Sequence, residues 1–232
     1  MIEVRGLAKY FGRFTALRNL DLTVAAGEFI ALFGRNGAGK TTFLRILAGL
    51  SRPSSGKTRF LSPEATSPQS LRALLGYLSH NTSLYLDLTA LENLRFYARL
   101  MDLSAADGDL EKEIARVGLS GRGHEPVRNY SRGMQQRLAI ARAFLHDPAI
   151  LLLDEPFTGL DQEGTTFFKK YLAAAHDRGK TCLMAIHDAS LGYELADRLV
   201  VIEKGVVALD VAKTSLTLDR FQEKYQALVE AR

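Results

Sequence analysis

A short stretch in the first fifth of the chain decides the fold: Gly34-Arg35-Asn36-Gly37-Ala38-Gly39-Lys40-Thr41. It follows an apolar run at 28–33 and precedes a segment at 40–50 whose apolar residues have helical spacing. Strand, glycine-rich loop and helix form the context in which the pattern G-x-x-x-x-G-K-S/T holds phosphate. The glycines let backbone N–H groups point at phosphate oxygens, and the positive end of the helix adds to the attraction. We therefore predict a phosphate-binding loop that consists of this stretch and Thr42.

A second apolar run, at 149–153, ends at two carboxylates, Asp154 and Glu155. A carboxylate at the end of a buried strand is costly unless it meets a cation. Mg²⁺ held by Asp154 and the hydroxyl of Thr41 would be that cation, while Lys40 places a positive charge at the phosphates. Glu155 leaves the strand in another direction and can accept a proton from an attacking water. These residues predict a site that hydrolyses a magnesium–nucleotide complex, with Thr41 and Asp154 as metal ligands and Lys40 and Glu155 as catalytic groups.

The composition of the chain is that of an ordinary globular protein. Of its 232 residues, 47% are hydrophobic and 24% are charged, values typical of a soluble domain. The net charge of +4 includes no run of Lys or Arg, so we expect no nucleic-acid partner. The apolar runs are far shorter than the roughly 20 residues that span a bilayer, and the first residues lack the apolar core of a signal peptide. We therefore expect a cytoplasmic protein.

Strand-like and helix-like patterns alternate along most of the sequence, which is typical of an α/β fold with a parallel sheet. A block near 81–145 has helical patterns only. Two helix starts within it have capping residues, Thr89 with Glu92 three residues later and Ser131. We predict one domain, 1–232, with a parallel-sheet core of the P-loop NTPase type, an N-terminal antiparallel β-subdomain and an inserted α-helical subdomain. The expected parts are a core lobe at about 1–79 and 146–212, a helical lobe at about 80–145 and a C-terminal helix at about 213–232.

Four further motifs follow the phosphate loop in a fixed order. They are Tyr130-Ser131-Arg132-Gly133-Met134-Gln135-Gln136, Ile150-Leu151-Leu152-Leu153-Asp154-Glu155, Thr158-Gly159-Leu160-Asp161, and His187. The ordered set resembles the nucleotide-binding domain of the ATP-binding cassette (ABC) family over nearly the whole chain. The resemblance implies ATP and Mg²⁺ as cofactors and hydrolysis that powers a transporter. It also implies a homodimer, or a heterodimer with a related ABC ATPase, and a separate integral membrane permease that holds the chain at the inner face of the cell membrane.

The resemblance also implies roles for individual residues. Ser131 and Gly133 match the signature motif, whose helix N-terminus faces the γ-phosphate held by the other protomer. His187 matches the histidine that contacts the γ-phosphate, and we expect it to be a third catalytic group. Asp161 lies in the loop that crosses to the partner. Phe11 matches the aromatic residue that stacks on adenine, and Tyr10 is the alternative. The signature differs from the usual Leu-Ser-Gly-Gly-Gln, because Arg132 replaces the first glycine and Met134 replaces the glutamine.

The junction between the two lobes adds a narrower resemblance. His80 stands where the family usually has a glutamine, and it is expected to approach the Mg²⁺ or its water. With Leu88-Thr89-Ala90-Leu91-Glu92-Asn93 downstream, it looks like the ATPase subunit of the haem exporters of cytochrome c maturation. The neighbouring residues Leu84, Tyr85 and Leu86 are apolar residues in a short loop, so we expect this surface to dock the membrane subunit.

Other functions remain open on the sequence alone. A non-transport ABC ATPase that acts on nucleic acid or the ribosome is the main alternative, although the chain lacks the long coiled coil or second cassette of such proteins. A different ABC exporter, with a drug or lipid as cargo, is another. A small GTPase of the P-loop class would need an Asn-Lys-x-Asp motif, which is absent from the sequence. A purely regulatory ATP-binding module is disfavoured because Glu155 is present.

Overall fold

The computed structural model describes residues 1–79 and 81–230. Its strands are β1 (Ile2–Phe11), β2 (Phe14–Val24), β3 (Phe29–Phe33), β4 (Ser55–Phe60), β5 (Leu75–Leu78), β6 (Ile150–Asp154), β7 (Thr181–Ala185), β8 (Arg198–Glu203) and β9 (Val206–Ala212). Its α-helices are α1 (Lys40–Leu47), α2 (Pro68–Leu74), α3 (Ala90–Leu100), α4 (Asp107–Arg116), α5 (Arg132–Phe144), α6 (Gln162–Asp177), α7 (Ala189–Leu195) and α8 (Leu218–Glu230). Short 3₁₀ helices lie at Val127–Asn129 and Lys213–Ser215.

The larger sheet has the strand order β5-β6-β7-β3-β8-β9, and only β9 runs antiparallel to its neighbour. Strands β3, β6 and β7 are buried along their whole length, which explains why they are apolar without alternation. The carboxyl ends of these three strands lie at one edge of the sheet. The phosphate loop, the pair Asp154 and Glu155, and His187 follow those ends, so the topology gathers them at the edge where open α/β sheets bind ligands.

The smaller sheet is antiparallel, with the strand order β2-β1-β4. Two backbone hydrogen bonds connect β2 and the phosphate loop with the turn between β8 and β9. The Arg18 N–H donates to the Gly205 carbonyl at 2.8 Å, and the Gly205 N–H donates to the Ala38 carbonyl at 3.0 Å.

The two sheets and the helices between them confirm the predicted fold class, a parallel-sheet core with a separate antiparallel sheet and a helical insertion.

Helices α3 to α5 form the insertion, and both predicted helix starts in it are confirmed. The Thr89 side chain accepts a hydrogen bond from the Glu92 N–H, and Glu92 in turn accepts one from the Thr89 N–H at 2.8 Å. The Ser131 hydroxyl accepts a hydrogen bond from the Met134 N–H at 3.3 Å. Each cap bonds a helix-end N–H group that has no acceptor within its own helix, and so fixes where the helix begins.

Two elements that lie between β4 and β6 in the sequence, α2 and β5, were not predicted. The Pro and Ser content of residues 51–70 favours a loop, yet α2 begins there, where Ser67 forms a capping box with Ser70 and Pro68 occupies the first turn. Strand β5 has four residues and includes Gly76, so it has almost no pattern of its own. It is a strand because residues 75–78 pair in register with 150–153 of β6, a long-range contact that local sequence does not encode.

Candidate active site

The phosphate loop connects β3 to α1, and two of its glycines are required by their surroundings. Gly34 has φ +146°, and a Cβ there would lie 2.1 Å from the Ile202 carbonyl oxygen. Gly39 has φ +113°, and its Cβ would lie 2.5 Å from the Ala16 carbonyl oxygen. Gly39 is also the N-cap of α1, and it has no side chain to bond the first N–H groups of that helix. The loop therefore presents its backbone N–H groups as an anion site.

Lys40 is buried at the first position of α1. Its Nζ donates to the Gly34 carbonyl at 2.6 Å and to the Arg35 carbonyl at 3.2 Å. Burial lowers the pKa of the Lys40 ammonium, while the charges of Glu155 and Asp154 act in the opposite direction. The Lys40 side chain thus folds back over the phosphate loop, where phosphate oxygens can replace the carbonyl oxygens as its hydrogen-bond acceptors.

Thr41 and Asp154 meet beside the loop. The Thr41 hydroxyl donates to Asp154 Oδ1 at 3.0 Å, and the Asp154 side chain is buried at the end of β6. A hydroxyl and a buried carboxylate are oxygen ligands of the kind that Mg²⁺ takes in phosphate sites, where substrate phosphates and water complete the shell. Within residues 1–79 and 81–230, no group of three or more His, Cys, Asp or Glu side chains could hold a metal.

Glu155 follows β6 in a strained conformation. Its φ is +52°, in the left-handed region that costs a non-glycine residue about 1–3 kcal/mol. Two backbone hydrogen bonds hold it there: its N–H donates to the Ala185 carbonyl at 3.0 Å, and its carbonyl accepts from the Thr158 N–H at 3.1 Å. Glu155 Oε1 lies 2.6 Å from His187 Nε2. The strain turns the carboxylate of Glu155 away from Asp154 and toward the loop and His187.

A cavity of about 270 Å³ lies over the phosphate loop, and Glu155 forms part of its wall. The aromatic residue that lines this cavity is Phe14, at the start of β2, whose side chain is 58% exposed. Phe11 and Tyr10 are also exposed, but they are not part of the cavity lining. Phe11 pairs directly with Phe14 across the hairpin, and Lys9 Nζ lies 4.9 Å from the centre of the Phe11 ring. Phe14 was not predicted from the sequence to be a site residue.

The signature residues lie elsewhere, beside the loop that contains Asp161. Gly133 packs so closely against this loop that a Cβ would lie 3.1 Å from the Gly159 carbonyl oxygen. Asp161 caps α6 by accepting from the Gly164 N–H at 2.7 Å, and Arg137 of α5 donates to the same carboxylate at 2.9 Å. The Gly164 N–H and then the Arg137 guanidinium lower the pKa of the Asp161 carboxyl. Ser131, Gly133 and Asp161 therefore form one rim, which does not line the cavity over the phosphate loop.

Gln136 is a second residue beside the site that was not predicted from the sequence to be a site residue. Its side chain is 4% exposed, and its Nε2 donates to the Pro156 carbonyl at 2.9 Å, next to Glu155. The neighbouring Gln135 stays within its own helix end, where it donates to the Tyr130 carbonyl at 3.2 Å. The burial of Gln136 has a signal in the sequence, because Ala139 and Ile140 lie three and four residues later on the same helix face.

Comparison with known protein families shows to which family the chain belongs. The family model for ABC transporters matches residues 17–158, which include the phosphate loop, the signature helix and the pair Asp154 and Glu155. The chain belongs to the ABC transporter family. The matched range thus includes two of the features that the fold gathers at one edge of the larger sheet, the phosphate loop and the pair Asp154 and Glu155.

Relatives and solved structures of ABC proteins agree with this assignment. The sulfate/thiosulfate import ATP-binding protein CysA of Pectobacterium atrosepticum is 35% identical over 213 residues, which cover 89% of this chain and 64% of that relative. This chain thus spans less than two thirds of the length of that protein. A structure of the ATP-binding subunit of an ABC transporter has a TM-score of 0.83 at 27% identity, covering 100% of this chain and 95% of that one. A dimeric structure of MJ0796, a bacterial ABC transporter cassette, has a TM-score of 0.80 at 25% identity, covering 92% and 99%.

These findings support neither the expected link with cytochrome c maturation nor the expected position of His80 near the Mg²⁺. The CysA relative is named for sulfate and thiosulfate import, so it lends no support to the expected link with cytochrome c maturation. His80, which suggested that link and was expected near the Mg²⁺, lies outside the described residues.

Among the helices of residues 1–79 and 81–230, none combines the length and hydrophobicity needed to cross a membrane.

Proposed function

We propose that this ABC transporter chain binds ATP with Mg²⁺ and hydrolyses it to power a separate membrane permease. One observation carries the proposal: Lys40, Thr41, Asp154, Glu155 and His187 converge at the mouth of one phosphate loop. Lys40 supplies a cation that can exchange carbonyl oxygens for phosphate oxygens. The Glu155 carboxylate can take the proton of an attacking water. His187 Nε2 lies 2.6 Å from Glu155 Oε1 and can orient that carboxylate. Thr41 and Asp154 would hold Mg²⁺, whose charge would offset that of the phosphates.

We further propose that two chains, or one chain and a related ABC ATPase, bind two ATP molecules between them. The rim formed by Ser131, Gly133 and Asp161 does not line the cavity over the phosphate loop. The N-terminal end of helix α5 attracts anions, so this rim suits the phosphates bound by a partner. The dimeric MJ0796 cassette, with a TM-score of 0.80 to this chain, supports the arrangement. The adenine would lie on the exposed aromatic hairpin of Phe11 and Phe14, with Tyr10 as the alternative to Phe11.

The first test concerns the metal. The purified chain is expected to release phosphate from ATP in the presence of Mg²⁺, and chelation by EDTA should stop the reaction until Mg²⁺ is restored. Because Thr41 contributes a hydroxyl to this site, Thr41→Val should raise the Mg²⁺ concentration for half-maximal rate about tenfold or more. The control variant Thr23→Val removes an exposed hydroxyl on β2, outside the phosphate loop, and should leave that concentration unchanged. Hydrolysis that persists in EDTA would contradict the proposed site.

A second surface fits the membrane subunit, which would hold the chain at the inner face of the cell membrane. Tyr85 and Leu86 are 49% and 47% exposed. The backbone beneath them is fixed, since buried Asn93 accepts from the Tyr85 N–H and donates to the Tyr85 carbonyl, both at 2.9 Å. The Tyr85 ring also contacts Phe96, with 4.9 Å between ring centres. Rigid, exposed apolar side chains of this kind mark interaction surfaces. Leu84, expected to share the surface, packs partly against the core instead.

Introducing two charges on this surface should therefore separate docking from catalysis. The double variant Tyr85→Asp with Leu86→Asp is expected to keep its ATPase activity in solution and to lose co-purification with the membrane subunit. Leu61→Asp is the matched control, because Leu61 is also 47% exposed but lies at the end of the smaller sheet. Retained co-purification of the double variant would show that the permease docks elsewhere, and loss of folding would show that these side chains are structural.

A further inference from the structure

We propose that Gln136 is a positioning residue for Glu155, which it holds through the peptide unit between Pro156 and Phe157. The inference rests on the proposed role of Glu155 in ATP hydrolysis. It begins from the contact between the Gln136 amide and the Pro156 carbonyl, 2.9 Å apart, in a part of the chain that is closed to solvent.

Pro156 limits how the backbone after Glu155 can be held. Proline has no N–H, so the peptide group between Glu155 and Pro156 cannot donate a hydrogen bond. The Pro156 carbonyl is an acceptor on a buried residue, and a buried carbonyl without a donor is costly. Gln136 is the side chain that supplies the donor. Its amide therefore fixes the orientation of the peptide plane between Pro156 and Phe157, the second one after Glu155.

The backbone conformation of Glu155 explains why such support matters. A non-glycine residue at φ +52° persists only where its surroundings over-determine it. The Ala185 carbonyl and the Thr158 N–H hold the two peptide groups of Glu155 itself. Gln136 holds the next one. Without it, the segment from Glu155 to Thr158 can relax toward an ordinary conformation, and the carboxylate would turn away from the phosphate loop.

The position of Gln136 on α5 gives the contact a second consequence. This helix starts at Ser131, in the rim proposed to face the partner's ATP, and Gln136 lies just over one turn further along. One rigid element therefore contacts both the proposed partner-facing rim and the backbone of the catalytic carboxylate. Gln135 has the same side chain one residue earlier, but it bonds to the Tyr130 and Val127 carbonyls at its own helix end.

This difference between two adjacent glutamines defines the experiment. Gln136→Met removes the donor at nearly constant volume, and Gln136→Glu keeps the shape but replaces the N–H donor with an acceptor. Both variants are expected to lower kcat for ATP hydrolysis about tenfold to a hundredfold, the effect of a catalytic group displaced by about 1 Å. The KM for ATP and the affinity for a non-hydrolysable ATP analogue should stay within about twofold of wild type, because the phosphate loop is untouched. Gln135→Met should leave both kcat and KM unchanged.

The outcomes separate this inference from the proposed function. If wild type hydrolyses ATP, Glu155→Gln does not, and both Gln136 variants match wild type, then Gln136 does not position Glu155 while the ATPase assignment stands. If wild type shows no Glu155-dependent turnover, the proposed function itself fails. Equal losses of kcat and nucleotide affinity in both Gln136 variants, or loss of the folded state in both, would make Gln136 a structural residue and overturn the inference.

Discussion

Replacing Lys40 with alanine is expected to weaken ATP binding at least about thirtyfold, which corresponds to about 2 kcal/mol. Lys40 is the buried cation of the phosphate loop, and its Nζ donates to the backbone oxygens of Gly34 and Arg35. In the bound state those donated hydrogen bonds pass to phosphate oxygens, where charge on both partners strengthens them. Alanine removes the cation and also leaves the two carbonyls without this donor. Isothermal titration calorimetry with MgATP measures the change directly.

A matched variant shows that the effect belongs to the loop rather than to the loss of one charge. Lys169 lies on α6, where its Nζ donates to Glu194 at 2.6 Å. Lys169→Met changes the net charge by the same amount as Lys40→Ala and should leave ATP affinity unchanged. ATP affinity that is unaltered in Lys40→Ala would remove the basis for assigning this loop to phosphate.

Parts of the molecule whose signals are local were predictable from the sequence. The phosphate loop depends on glycines and a lysine at fixed spacing, and the helix starts at Thr89 and Ser131 depend on side chains that bond to N–H groups three residues later. The apolar strands β6 and β7 were also predictable, because a strand buried on both faces needs a continuous apolar run. These features need no knowledge of what lies across the fold.

Features that depend on how distant elements meet were not predictable. Phe14 lines the phosphate-loop cavity because the hairpin of β1 and β2 lies over a loop that belongs to the other sheet. Strand β5 exists because it pairs with β6, more than 70 residues later in the chain. The contact from Gln136 to Pro156 likewise joins a helix to the end of a strand. In each case the residue type is visible in the sequence, but its partner is set by tertiary packing.

Replacing Glu155 with glutamine is expected to reduce ATP turnover at least about a hundredfold while ATP binding remains close to that of wild type. The amide has nearly the same shape as the carboxylate, and its oxygen can still meet His187 Nε2, which lies 2.6 Å from Glu155 Oε1. The backbone bonds from Ala185 and Thr158 do not involve the side chain. The variant therefore keeps the geometry of the site and loses only the group that accepts the proton of water.

Retained binding without turnover should also change the assembly state. If the rim of Ser131, Gly133 and Asp161 completes the site of a partner, ATP that is not hydrolysed keeps the two chains together. Glu155→Gln with MgATP should therefore elute from size-exclusion chromatography with the mass of a dimer, and with the mass of a monomer when nucleotide is removed. Glu163→Gln, the same chemical change at an exposed position in the first turn of α6, should turn over ATP as wild type does.

A Glu155→Gln variant that hydrolyses ATP at the wild-type rate would show that another group activates the water. One that binds ATP but stays monomeric would show that the rim serves no partner, because bound ATP then has no second chain to hold.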